Sequence, residues 1–212
     1  MDNTFINKFS HSLLEAFQAI NGWEVLAVVF ALLYLWLAMK QNIWCWFCGF
    51  ASTAIYLFLF WKVSLLSESL LQIFYLVLSV YGWLQWGEGK YLATEQSSIT
   101  VISWSAKQHF ITILSTLIAT AILGFLMDNY TSAQFPYIDG ATSTFAVVTT
   151  YMVTRKVLEN WIYWIVIDSV SIFLYSSRGL HLTALLFTAY VIMCFYGYSA
   201  WKASLAEEKS FA

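Results

Sequence analysis

Charge is scarce in this sequence. Only 10% of its 212 residues are Asp, Glu, Lys or Arg, where an ordinary soluble domain carries about 25%. The net charge of −2 and the absence of any basic cluster exclude a nucleic-acid partner. Proline occurs once, at Pro136, between the fourth and fifth apolar runs, a position read as a loop. The three cysteines give no disulfide framework. Cys45 and Cys48 form a Cys-x-x-Cys inside an apolar run, without a second pair or a neighbouring histidine. Buried small hydrophobes are therefore expected there, as at Cys194, rather than a metal or redox centre. His11, His109 and His181 fall near the ends of apolar runs and show no ligand spacing, so neither metal nor cofactor is expected. There is no phosphate-binding glycine loop, and no nucleophile–base pair stands out, so the chain does not read as an enzyme.

What is abundant is apolar and aromatic: 60% and 19% of residues respectively. Against the ~20 residues a helix needs to cross a bilayer, seven runs qualify, at 22–39, 43–61, 65–86, 108–127, 140–158, 161–176 and 180–201. This is an all-α polytopic membrane protein. The first twenty residues differ, with Phe5, Phe9, Leu13, Phe17 and Ile20 recurring at helical spacing among polar residues. They are expected to form an amphipathic interfacial helix, and they lack the basic start and continuous apolar stretch of a signal peptide. Alternate loops divide the cations unevenly: Lys40, Lys90, Lys107, Arg155, Lys156, Lys202 and Lys209 against Lys8, Lys62 and Arg178. The positive-inside bias puts the C-terminus in the cytoplasm and the N-terminus outside.

The runs invite comparison with one another. "NIWCW" at 42–46 lies over "NWIYW" at 160–164, pairing Asn42 with Asn160 and Trp46 with Trp164. "LLQIFYLVLSVYGWLQW" at 70–86 lies over "LLFTAYVIMCFYGYSAW" at 185–201 with six identities, among them Tyr75 with Tyr190, Gly82 with Gly197 and Trp86 with Trp201. One intervening run makes the two halves parallel, an arrangement that places a substrate site near the midplane between them. The expected division is 1–20 amphipathic helix, 21–86 first three-helix unit, 87–139 loop, linker helix and outer loop, 140–203 second three-helix unit, and 204–212 cytoplasmic tail.

Polar residues inside the runs fall into stripes. Asn160, Trp164, Asp168 and Ser171 share one helix face, with Trp161 beside it. Asn42, Trp46, Gly49, Thr53 and Tyr56 form a second stripe, and Gln72, Tyr75, Ser79, Gly82 and Trp86 a third. The last run repeats the third pattern as Phe187, Tyr190, Cys194, Gly197 and Trp201. Asp168 is the clearest acid within a run, and a carboxylate at bilayer depth costs ~2.5–3.5 kcal/mol even on the lenient insertion scale. It is therefore expected to face a wet cavity, with a structural hydrogen bond to a neighbouring hydroxyl as the other reading. No lysine or arginine lies mid-run, so a phosphorylated or carboxylate solute would find no counter-charge. Indole and phenol faces suit a flat ring, better still a cationic one, and amides and hydroxyls suit a sugar.

Those same segments carry a resemblance. "NWIYWIVIDSVSIFLY" followed by "GLHLTALLFTAYVIMCFYGYSAW" resembles the second half of the PnuC family of bacterial vitamin B3 transporters, and "YGWLQW" at 81–86 resembles the end of its first half. The resemblance implies seven transmembrane helices in a 3+1+3 arrangement related to full-length SWEETs, and a homotrimer in the inner membrane. It also implies facilitated diffusion of nicotinamide riboside, a pyridinium on a ribose, with a cytoplasmic riboside kinase making uptake one-way. Asn160, Trp161, Trp164 and Asp168 fall within the family's tryptophan motif. Asn42, Trp46, Gln72, Tyr75 and Tyr190 join the expected substrate-binding set from their stripe positions alone. SWEET-type sugar facilitators carry a proline-glutamine motif in their helices, which this chain lacks. A proton-coupled or SWEET-like facilitator of another nucleoside or sugar is the alternative.

Overall fold

A backbone in hydrocarbon finds no water to bond and must satisfy its own polar groups, which drives so apolar a chain into helices. The computed structural model describes residues 22–62, 66–91, 99–131 and 133–211. These hold α1 Gly22–Met39, α2 Trp44–Lys62, α3 Leu66–Tyr91, α4 Ala106–Tyr130, α5 Pro136–Thr154, α6 Asn160–Ser177 and α7 His181–Phe211. The expected amphipathic helix at 1–20 lies outside the described residues. Among those described, the only β pairing is a parallel bridge between Ile102 and Val157.

Local chemistry sets the helix ends. Pro136 stands in the first turn of α5 rather than in a loop, where its missing N–H costs nothing because that group has no intrahelical partner. α5 accordingly starts four residues earlier than the expected run. Ser105 and Gln108 form a reciprocal capping box ahead of α4. α1, α5 and α6 end in left-handed residues, Gln41 (φ 52°), Lys156 (φ 51°) and Gly179 (φ 75°). Paired bonds of the Schellman type close all three: Gln41 to Ala38 O with Asn42 to Leu37 O, Lys156 to Val153 O with Val157 to Met152 O, and Gly179 to Ser176 O with Leu180 to Tyr175 O. For the two non-glycines the left-handed conformation costs roughly 1–2 kcal/mol each, and their side chains are joined, Lys156 Nζ donating to Gln41 Oε1 at 3.0 Å. Two helices outrun expectation: α3 continues to Tyr91, and α7 absorbs most of the supposed tail by reaching Phe211.

Among the described residues, five helices, or stretches of them, are long and apolar enough to cross a membrane: α1, α2, Ser69–Gly87 of α3, α4 and Thr183–Glu207 of α7. α5 and α6 fall short of that apolarity, and the shortfall has a reason. They carry Thr142, Ser143, Thr149, Thr150, Asp168 and Ser171 toward the interior instead of toward lipid.

Packing closes a ring. α1 packs on α2 and α2 on α3; α5 packs on α6 and α6 on α7; the seams between these groups are α3 on α5 and α7 on α1. α4 stands outside the ring, packing its backbone on α5 and reaching α6 through the His109 side chain. Small residues bring those two backbones together, since a Cβ on Gly140 would lie 3.2 Å from Gly124 N. A segment ahead of α4 straps one end of the ring: Ile102 N donates to Lys156 O, Leu158 N donates to Ile102 O, and Val101 is buried.

That end is plugged by four tryptophans. Trp46 and Trp86 meet edge to face at 5.4 Å, Trp161 and Trp201 at 5.3 Å, and Trp86 lies 6.2 Å from Trp201. Trp86 Nε1 donates to Thr154 O across the α3–α5 seam, and Trp201 Nε1 donates to Ala38 O across the α7–α1 seam. Each inner indole lies over a glycine: a Cβ on Gly82 would come within 2.3 Å of the Trp46 ring, and one on Gly197 within 2.6 Å of the Trp161 ring. These pairs put Trp161, rather than Trp164, in the place that Trp46 occupies, a separation of 161 − 46 = 115 residues that also relates Gly82 to Gly197 and Gln41 to Lys156.

Candidate functional site

Beyond the tryptophan plug the ring encloses a cavity of about 350 Å³, within the range of small-molecule sites. Six helices line it and α4 does not. α2 contributes Trp46, Gly49, Ser52 and Thr53, a face set by spacings of three and four. α6 contributes Trp161, Trp164, Ile167, Asp168, Ser171 and Tyr175 on the same principle. Tyr75 and Ser79 enter from α3, Phe187, Tyr190 and Cys194 from α7. Trp46 and Trp161 therefore belong to both plug and cavity and form the floor between them.

Six of the nine expected site residues line this space: Trp46, Tyr75, Trp161, Trp164, Asp168 and Tyr190. Three do not. Asn42 is exposed and its Oδ1 accepts from Trp44 N at 3.0 Å, so it starts α2 as a cap. Asn160 is fully buried beneath the floor, its Nδ2 donating to Val157 O at 2.6 Å. Gln72, half-buried on α3, is one residue from Leu71, which does line the cavity. Asparagine favours helix starts for its capping oxygen, which accounts for Asn42; Asn160 instead donates, and its buried Oδ1 has no hydrogen-bond partner.

Sequence reasoning missed two walls. Tyr34 of α1 lines the cavity and meets Trp46 edge to face at 5.9 Å. α5 supplies Thr142, Ser143, Ala146 and Thr150. Its small hydroxylated residues at helical spacing were a readable signal, but no large or charged side chain marked it. Thr150 bonds back to Ala146 O, so its methyl, more than its hydroxyl, is free to face a ligand.

Asp168 is the one charged residue among those lining the cavity, and no lysine or arginine joins it. It is 3% exposed. Its Oδ2 accepts from Cys194 Sγ at 3.9 Å, a long and weak contact, while the nearby Ser171 hydroxyl is committed to Ile167 O at 2.9 Å. A buried carboxylate with so slight a partner is unsatisfied until a cation or donor reaches it. The floor repeats the point with opposite polarity. The indole N–H groups of Trp46 and Trp161 are buried with no hydrogen-bond partner, a deficit worth ~1–3 kcal/mol each until an acceptor or water meets them. At the far end, Arg178 donates to Asp139 at 2.6 Å, tying the end of α6 to the start of α5.

Other polar clusters are structural. Glu159 accepts from Ser103 Oγ and from Trp104 N, and lies near His109, whose Nδ1 meets the Tyr163 hydroxyl at 3.0 Å. This network fastens the strap and α4 to the start of α6. Among the described residues no group of histidine, cysteine or carboxylate side chains could hold a metal.

Comparison with known proteins extends this geometry. The family model described as "Nicotinamide mononucleotide transporter" matches residues 21–203. The nicotinamide riboside transporter PnuC of Escherichia coli strain K12 is 22% identical over 213 residues, which covers 89% of this chain and 88% of its own. The riboflavin/roseoflavin transporter RibM of Streptomyces davaonensis is likewise 22% identical, over 180 residues, covering 84% and 83%. The crystal structure of the vitamin B3 transporter PnuC shares the fold, with a TM-score of 0.73 and 18% identity over 94% of this chain and 88% of that one. Family and fold neighbours alike are transporters, not enzymes.

Proposed function

The chain belongs to the nicotinamide mononucleotide transporter family, that of the PnuC proteins, and from that premise we propose that it carries nicotinamide riboside across the membrane. The cavity's charge supports this choice: one carboxylate, no cation, and indole and phenol walls. A pyridinium ring stacked on Trp164 gains a desolvated cation–π contact worth about 2 kcal/mol. Asp168, one helical turn along the same face, supplies the counter-charge. Hydroxyls of Thr53 and Tyr75 suit the ribose. A phosphate ester would meet only Asp168 and be repelled, so the riboside, rather than the mononucleotide of the family's description, is the substrate. RibM, similar to the same degree, favours another ring-bearing vitamin as the second reading.

In this proposal all seven helices span the bilayer as two parallel three-helix units, 21–86 and 140–203, with α4 as linker. The recurrence of corner, glycine and tryptophan geometry at a separation of 115 residues supports it. Asn160 acts from beneath the floor, holding the Trp161 turn, and the six lining members of the expected set contact solute. Positive-inside orientation puts Lys40, Arg155 and Lys156, and hence the tryptophan plug, on the cytoplasmic side of an inner membrane. The form described is then closed to the cytoplasm, and transport requires the two units to rock so that the α3–α5 and α7–α1 seams loosen at the plug. Trimer formation and trapping by a cytoplasmic riboside kinase complete the scheme. No second acid lines the cavity to relay protons with Asp168, so flux is downhill diffusion. Liposomes holding only this protein should take up labelled nicotinamide riboside saturably, and uptake should persist when a protonophore collapses the proton gradient. Flux that is absent, or that disappears with the gradient, contradicts it.

A further inference from the structure

The α2 and α6 walls correspond residue for residue, yet they present different chemistry. Adding 115 to Gly49 and Thr53 gives Trp164 and Asp168, and all four line the cavity. Floor and side positions barely change under the same shift, Trp46 matching Trp161 and Tyr75 matching Tyr190. At the level of Trp164 and Asp168 the two walls therefore differ in kind. One wall offers an indole and a carboxylate; the other offers bare backbone and a hydroxyl.

Gly49 is buried, and a Cβ built on it would stand 3.0 Å from Cδ2 of Tyr34 and 3.5 Å from Ser79 Oγ. Tyr34 can lean on α2 only because nothing projects at that position. Any side chain at 49 must push the phenol away, and Trp46, edge-on to Tyr34 at 5.9 Å, restricts one line of retreat. We propose that Gly49 is a specificity-determining position: it holds Tyr34 back against α2 and so keeps open, across from Trp164, the space in which the substrate's planar ring lies. This rests on reading the cavity as the site of a ring-bearing vitamin, and it fixes one orientation, ring toward α6 and hydroxylated part toward Thr53. The glycine acts through Tyr34 and is a positioning residue.

The test titrates the purified full-length protein with nicotinamide riboside and with riboflavin. Gly49→Ala should weaken riboside binding several-fold and Gly49→Val at least about tenfold, with a larger loss for the three-ring flavin if the unsubstituted protein binds it. Adding Tyr34→Ala to Gly49→Val should return most of the lost affinity, which general damage to the fold would not allow. Gly49→Ala, the smaller intrusion, carries the test if Gly49→Val does not yield folded protein. Riboside affinity within twofold of the unsubstituted chain in the variant tested, or no recovery on removing the phenol, overturns the assignment while leaving the substrate reading intact. If the unsubstituted protein binds flavin and no riboside, the substrate reading falls and the same variants decide Gly49 on flavin. If it binds neither, both fall.

Discussion

In the proposed site Trp164 and Asp168 would divide the recognition of the ring between a face and a charge. Removing the face should cost more than removing any lipid-facing tryptophan. Trp164→Ala is expected to weaken riboside binding about 30-fold, the equivalent of a ~2 kcal/mol cation–π contact. Trp23→Ala, 58% exposed at the start of α1, should stay within about twofold. Equal losses would remove the stacking role. Asp168→Asn preserves shape and deletes charge, and its carboxylate has only a long contact to Cys194 to lose. It should lower affinity for the pyridinium riboside by roughly tenfold or more, about 1.4 kcal/mol. Affinity for the uncharged dihydro form of the same riboside should barely change. If both forms lose affinity alike, Asp168 serves packing and not charge recognition.

At the scale of helices, the two glycine–indole contacts fix how closely α2 approaches α3 and α6 approaches α7. Gly82→Val and Gly197→Val each drive methyls into a tryptophan ring and should cost about 1–3 kcal/mol. Thermal unfolding in detergent should detect both. Gly87→Val is the matched control, because its Cβ would meet only the end of the Ile43 side chain at 3.4 Å. Unfolding of all three at one temperature would contradict the assigned packing. The stripes on α2, α3, α6 and α7 were legible in the sequence because large aromatics and an acid interrupt apolar runs at helical spacing. Trp46, Tyr75, Trp161, Trp164, Asp168 and Tyr190 lie on those stripes and line the cavity. Asn42, Asn160 and Gln72 do not line it, because periodicity assigns a face and not a depth. The pairing of Trp46 with Trp164 at 118 residues rested on matching letters, whereas the glycine contacts and the left-handed corners relate Trp46 to Trp161 at 115. Tyr34 and the threonines of α5 were passed over as site residues, since neither type is unusual in a membrane helix and no large or charged side chain marked the α5 pattern.

For the molecule as a whole, the arrangement of charge decides what crosses. Cations gather at the plugged end and are spent on rings and amides: Lys40 lies over Trp36, Lys156 over Trp86, and Arg155 donates to Gln85 at 2.9 Å. The cavity itself keeps a single negative group. On the proposed reading such a cavity would admit a cationic ring on a sugar and refuse its phosphate ester, and so retain the product once it is phosphorylated inside. The most direct measurement places the protein alone in liposomes and compares initial rates for labelled nicotinamide riboside and nicotinamide mononucleotide at equal concentration. Saturable entry of the riboside with no entry of the mononucleotide above protein-free vesicles is the predicted result. Entry of the mononucleotide at a rate comparable to the riboside's would contradict it.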